Sequence, residues 1–80
     1  MKNQIVELNN GIKVCVIEEL EHLERKFVFC ALVSDDGHIE DKFMICEIKL
    51  IDGELKLEDI KEPNLMKNVA EIFGKILHNA

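Results

Sequence analysis

The chain has no tryptophan, tyrosine or threonine, and only one serine and one proline among its 80 residues. A single hydroxyl side chain of the nucleophilic kind, Ser34, leaves hydroxyl-nucleophile chemistry resting on one residue. The four glycines are scattered singly, so there is no Gly-rich loop to cradle a phosphate. Basic residues are also scarce. Ten Lys and Arg against sixteen Asp and Glu give a net charge of −6, which repels phosphate backbones and anionic membrane surfaces, so direct binding to nucleic acid or membrane is not expected. No apolar run approaches the ~18 residues of a membrane span, and the start, MKNQIVEL, lacks the apolar core of a secretory signal. The three cysteines, Cys15, Cys30 and Cys46, have no CxxC spacing and each lies inside an apolar run. Free buried thiols in a reducing cytosol explain them, so a cytoplasmic protein is expected.

What the chain does have is the means to bury a core. Hydrophobic residues make up 48% and charged residues 32%, too apolar for a disordered acidic tail. Eighty residues fit one domain, and a chain of this length buries only ~60% of the surface its unfolded form exposes, which leaves stability marginal. The stretch Lys26 to Val33, KFVFCALV, has seven apolar residues out of eight and no Gly or Pro. If extended, it is apolar on both faces, as in a strand buried on two sides.

The remaining segments arrange themselves around that strand. Gln4 to Leu8 is a run of strand formers followed by Asn9-Asn10-Gly11. Asn10-Gly11 supplies the two positive-φ positions of a type I′ turn, which pairs Ile5 with Val16 and Val6 with Cys15. On strand two, Ile12 to about Leu20, the residues Ile12, Val14, Val16 and Leu20 then share one face, with Cys15 and Ile17 on the other. The segment EHLER, Glu21 to Arg25, reads as a tight turn. Ser34 to Asp41 reads as a longer mobile loop rich in acids. From Phe43 to Ile51, alternation puts Met44, Cys46, Ile48 and Leu50 on an apolar face, while Glu47 and Lys49 ask for water. Asp52-Gly53 makes a second hairpin turn, placing Leu55 and Leu57 opposite Leu50 and Ile48.

Pro63 suits the first turn of a helix, and Leu65, Met66, Val69, Ile72, Phe73, Ile76 and Leu77 then recur at helical spacing. This amphipathic helix of about four turns is expected to cover the Met44 face. Lys75 and His78 complement its negative C-terminal pole. Gly74 costs up to about 1 kcal/mol relative to Ala unless it allows close packing. The predicted fold is α+β: an antiparallel β-meander of about five strands with one C-terminal amphipathic helix packed on one face.

The segments VIEELEHLERKFVFCALV, IDGELKLEDI and LMKNVAEIFGKIL, in that order around an acidic loop, resemble the short acidic bacterial proteins called YrzB-like. The resemblance spans about Val14 to Leu77 and is one of pattern: apolar strands, an acid-rich loop and a final helix carrying Phe73. This chain departs from it in an extra Asn-Gly hairpin strand at the front and a less acidic loop. The resemblance implies the same fold and a bacterial or phage source. It brings no activity, cofactor or catalytic residue.

Chemistry is sparse. Cys15, Cys30 and Cys46 with His22 or His38 lack the close ligand pairs of a zinc site, and neither these histidines nor His78 has a metal-ligand partner at i+3 or i+4. The acids Asp35, Asp36, Glu40 and Asp41 lack the order of a calcium loop. Carboxylate pairs such as Glu18-Glu19 or Glu58-Asp59 need a pocket to shift a pKa, and so short a chain has little room for one. No metal, cofactor or catalytic residue is assigned, and an enzyme is not expected. One helix covers one face of the sheet, so the other must be exposed, paired with another copy, or folded away by strong curvature. The first expectation is a protein-interaction module, with a homodimer through Cys15, Ile17, Val28, Cys30 and Leu32. The alternative is an acidic nucleic-acid mimic of the phage anti-defence type, in which Glu21, Glu24, Asp35, Asp36, Glu40 and Asp41 block a basic site.

Overall fold

The structure, a computed structural model, describes residues 2–78. Five strands are followed by one helix: β1 (Ile5–Glu7), β2 (Lys13–His22), β3 (Arg25–Val33), β4 (Ile39–Ile51), β5 (Glu54–Asp59) and α1 (Pro63–His78). The strands form one antiparallel sheet in the order β1-β2-β3-β4-β5, curled into a half-barrel with β3 at its centre. The class and architecture are those the sequence predicts.

Turn chemistry sets the register. Asp52 and Gly53 both adopt positive φ, and the pairs Ile48↔Leu57 and Leu50↔Leu55 follow as expected. The first hairpin differs. Gly11 alone takes positive φ among the turn residues, its N–H donates to the Leu8 carbonyl, and the Leu8 N–H donates to the Ile12 carbonyl. That is a three-residue loop, braced by the Ile12 N–H donating to Asn10 Oδ1. Ile5 therefore pairs with Cys15 and Val6 with Val14, one residue away from the two-residue reading. Between β2 and β3, Leu23 and Glu24 hold the turn, both at positive φ.

Two irregularities bend the sheet. A bulge at Ile17 separates Val16↔Cys30 from Glu18↔Phe29, and β4 carries extra residues between Ala31↔Phe43 and Val33↔Ile39. Each adds local twist and bends the strand that carries it. The bulge also reverses the faces of β2. Below it Leu20 pairs with Phe27; above it Val14 and Val16 point to the side of Val28 and Cys30, and Cys15 points away. Leu20 thus does not share a face with Val14 and Val16. The bulge and the one-residue slip in the first turn cancel for β1, so Val6 stays on the Val28 side. The connection predicted as a mobile loop is shorter: residues 39–42 belong to β4, leaving residues 34–38.

The curl produces two clusters, back to back on β3. On the concave side Val14, Val16, Val28, Cys30, Cys46 and Leu57 are buried, with Val6, Leu8, Leu32, Met44 and Ile48 packed against them. On the convex side Phe27 packs with Leu65, Val69 and Phe73 of α1, joined by Leu20, Phe29, Ile45 and Ile60. The helix has the predicted stripe but covers the opposite face from the predicted one. The middle of the Met44 side is covered by the inside of the curl, which buries Cys46 and Leu57, while Leu50 at its end stays exposed. Gly74 is exposed, with open space where a Cβ would stand.

Candidate functional site

The five residues predicted as an interaction surface are not one surface. Val28 and Cys30 are fully buried in the concave cluster, and Leu32 packs against it. Cys15 lies on the convex side opposite Ala31, and Ile17 occupies the bulge. The bulge is what separates them, because one inserted residue moves every position before it to the other face. Cys30 and Cys46 meet inside the curl, where a thiol–thiol hydrogen bond and burial push the Cys30 thiol well above the ordinary range. Cys15 faces the other way, so the three thiols do not converge. Among the described residues no group of His, Cys, Asp and Glu is placed to hold a metal ion.

The predicted acidic surface is divided. Glu21 and Glu24 lie at the β2–β3 turn, whereas Asp35, Asp36, Glu40 and Asp41 lie at and beyond the β3–β4 loop. These are opposite ends of β3, whose 9 residues span about 30 Å.

The β3–β4 loop holds a constellation that residue spacing alone does not reveal. Ser34 Oγ donates to Asp36, and His38 Nδ1 lies 3.0 Å from the other oxygen of the same carboxylate. Ser34 Oγ also accepts the His38 N–H at 3.1 Å. The residue types match a nucleophile triad, but the connections do not. The imidazole must receive the hydroxyl proton in such a triad, and here the carboxylate stands between the two. The Ser34 hydroxyl and His38 hold the Asp36 carboxyl below its ordinary range. The group lies at the surface and braces a tight loop.

Glu47, read as a solvated position, is buried on the convex side and carries a bidentate pair with Arg25: Nε to Oε2 at 2.7 Å and Nη2 to Oε1 at 2.6 Å. Arg25 also reaches Glu62 at 3.3 Å, just before α1, and its guanidinium lies 5.8 Å from the Phe27 ring centre. The hydrogen bonds from Arg25, and its charge, hold the Glu47 carboxyl below the ordinary glutamate range. The charge satisfies itself within the fold, which lets this face run under the start of the helix.

The helix does not cover the whole convex side. A cross-strand row runs Ile5, Cys15, Ala31, Phe43, and the next row pairs Val33 with Ile39. Ile5 is 59% exposed, Phe43 54% and Ile39 61%. Phe43 is nevertheless fixed, stacked on Phe29 with ring centres 5.3 Å apart, and Phe29 in turn contacts Phe73 of α1 at 5.8 Å. The strip thus continues the helix-covered cluster outward to solvent. Among the described residues no helix is long and apolar enough to cross a membrane. No family model, curated protein or solved structure matches the chain.

Proposed function

We propose that the protein is a non-enzymatic protein-interaction module of a reducing cytosol, and that its contact surface is the convex strip of Ile5, Cys15, Phe43 and Ile39. A second copy of the chain is the partner to test first. The observation that carries this reading is Phe43, an aromatic side chain that is 54% exposed yet held by stacking on Phe29. A side chain already fixed loses little rotamer freedom when a partner covers it, so more of its apolar burial appears as affinity. Neighbouring exposed apolar side chains on one face mark an interaction site more often than scattered ones do. Of the residues singled out from sequence, Cys15 alone lies on this strip.

Sedimentation from micromolar to millimolar protein tests the reading. The expected result is a mass that grows with concentration for the natural chain and stays monomeric for Phe43→Lys, with both folded alike by circular dichroism. A natural chain that remains monomeric throughout removes the second copy as partner. A Phe43→Lys variant that associates as strongly as the natural chain removes the strip.

A further inference from the structure

The curled sheet does not close into a barrel. Its edges are β1 and β5, and because an antiparallel meander of five strands has an odd count, the two edges run in the same direction. They face each other across a seam. Residues 6–9 line one wall and residues 54–57 the other, and further along residues 8–10 stand beside residues 57–59 with Met44 between them. The two walls therefore advance together, as parallel strands do, yet β1 and β5 are not paired with each other.

The backbone groups turned toward the seam follow from the ladders on its far sides. Ile51 and Glu54 close a two-residue hairpin and so exchange both hydrogen bonds. Alternation then directs Lys56 and Glu58 toward β4 and leaves the N–H and C=O of Leu55, Leu57 and Asp59 facing the seam. On β1, the Gln4 carbonyl accepts from the Val16 N–H and the Leu8 N–H donates to the Ile12 carbonyl, which leaves the groups of Ile5 and Glu7 for the seam. Two rows of open donors and acceptors thus flank one cleft, and what satisfies both is another length of extended backbone. Running antiparallel to both walls, it would keep the sheet antiparallel all round.

The side chains add a pattern. Leu50 and Leu55 face each other on the concave side, 70% and 59% exposed, at the end of the seam nearest the Asp52-Gly53 turn. Leu57 continues that line into the core. On the convex side of the two walls stand Glu7, which lies across from Lys13, Glu54, and Glu58, which is paired with Lys49 at 3.4 Å, beside the single Lys56. We propose that this seam accepts an extended segment of a partner protein, antiparallel to β1 and β5, with apolar residues at alternate positions facing Leu50, Leu55 and Leu57 and basic residues favoured between them. Such strand addition takes affinity from main-chain hydrogen bonds and specificity from the alternate side chains. The seam is separate from the convex strip, and either can fail without the other.

The test uses the full chain and a display library of linear peptides at least as long as β5, which has 6 residues. Selection should enrich peptides with alternating apolar positions. A selected peptide should slow hydrogen exchange at the amides of the exposed residues Ile5, Glu7 and Leu55, which should exchange freely in its absence. Leu55→Pro removes an N–H that faces the seam and no bond of the β4–β5 ladder, a placement proline tolerates on an edge. It should weaken the peptide by about tenfold or more, the order expected for a lost main-chain bond and an added clash. If that variant fails to fold, the exchange result on the natural chain decides alone. No enriched pattern, unchanged exchange at the three amides, or a folded Leu55→Pro variant that binds equally well would overturn the proposal.

Discussion

The concave and convex clusters share β3 as their common wall and are buried by different means. The concave one consists of Val14, Val16, Val28, Cys30, Cys46 and Leu57, mostly small or β-branched side chains that fill the narrow inside of a curl. The convex one is built on Phe27 and Phe73, larger side chains under a separate helix. Phe27, Val28, Cys30 and Ala31 are each 0% exposed, so β3 is buried on both sides although the described residues form only one helix. A sheet bent by bulges covers one of its own faces, and counting helices therefore undercounts lids.

The largest effect should come from removing the lid. Phe73→Ala is expected to cost about 3–5 kcal/mol in urea titration, a large part of what so small a domain has. A loss under 1 kcal/mol would mean that the helix contributes little to the core. Leu57→Ala, on the concave side, should cost about 2–5 kcal/mol, toward the low end because β5 is an edge strand and can relax around the gap. Were it to cost more than Phe73→Ala, the curl and not the helix would dominate the stability.

The β2–β3 turn offers a smaller change in the opposite direction. Leu23 and Glu24 both sit at positive φ, a conformation that costs roughly 1–2 kcal/mol per L-residue and that Asn-Gly adopts readily. Replacing the pair by Leu23→Asn with Glu24→Gly should therefore raise stability by about 1–2 kcal/mol. Unchanged or lower stability would show that Leu23, 72% exposed, makes compensating contacts.

The Arg25–Glu47 pair, which ties the convex cluster to the β2–β3 turn, predicts a pH dependence. The Arg25 guanidinium lowers the folded-state pKa of Glu47 below its unfolded value, so the pair contributes stability that is fully present above about 4.3, the ordinary glutamate value. That contribution is lost as pH falls from there through the folded pKa. The gap in urea midpoint between the natural chain and Glu47→Gln should accordingly be open at neutral pH and close on acidification. A gap independent of pH would mean that the carboxylate is not paired in solution.

Much of this fold was legible in the sequence, and the misses have physical reasons. Strand and helix periodicity placed all six elements, and Asp52-Gly53 set the β4–β5 register correctly because both residues take the positive φ of a two-residue turn. Asn9-Asn10-Gly11 fits two turn types, and the backbone took the three-residue form in which only Gly11 needs positive φ. The Ile17 bulge has no mark in composition: VCVIEEL alternates no worse with it than without it. That one residue moved Cys15 out of the concave set and Val14 and Val16 into it. Glu47 looked solvated because its partner, Arg25, lies 22 positions away in sequence. The interaction strip and the seam depend on which face each residue occupies, so neither was visible before the bulge and the curl.

The thiols test the self-covering curl most directly, because they stand on its two sides. Cys15 is partly exposed on the convex side, whereas Cys30 and Cys46 are buried within the curl. In a dilute native sample, where any dimer has dissociated, alkylation followed by mass spectrometry should label Cys15 first and leave Cys30 and Cys46 to react only as fast as the domain opens. Labelling of Cys30 and Cys46 at the rate of Cys15 under those conditions would contradict the account, since the concave side would then need a partner to cover it.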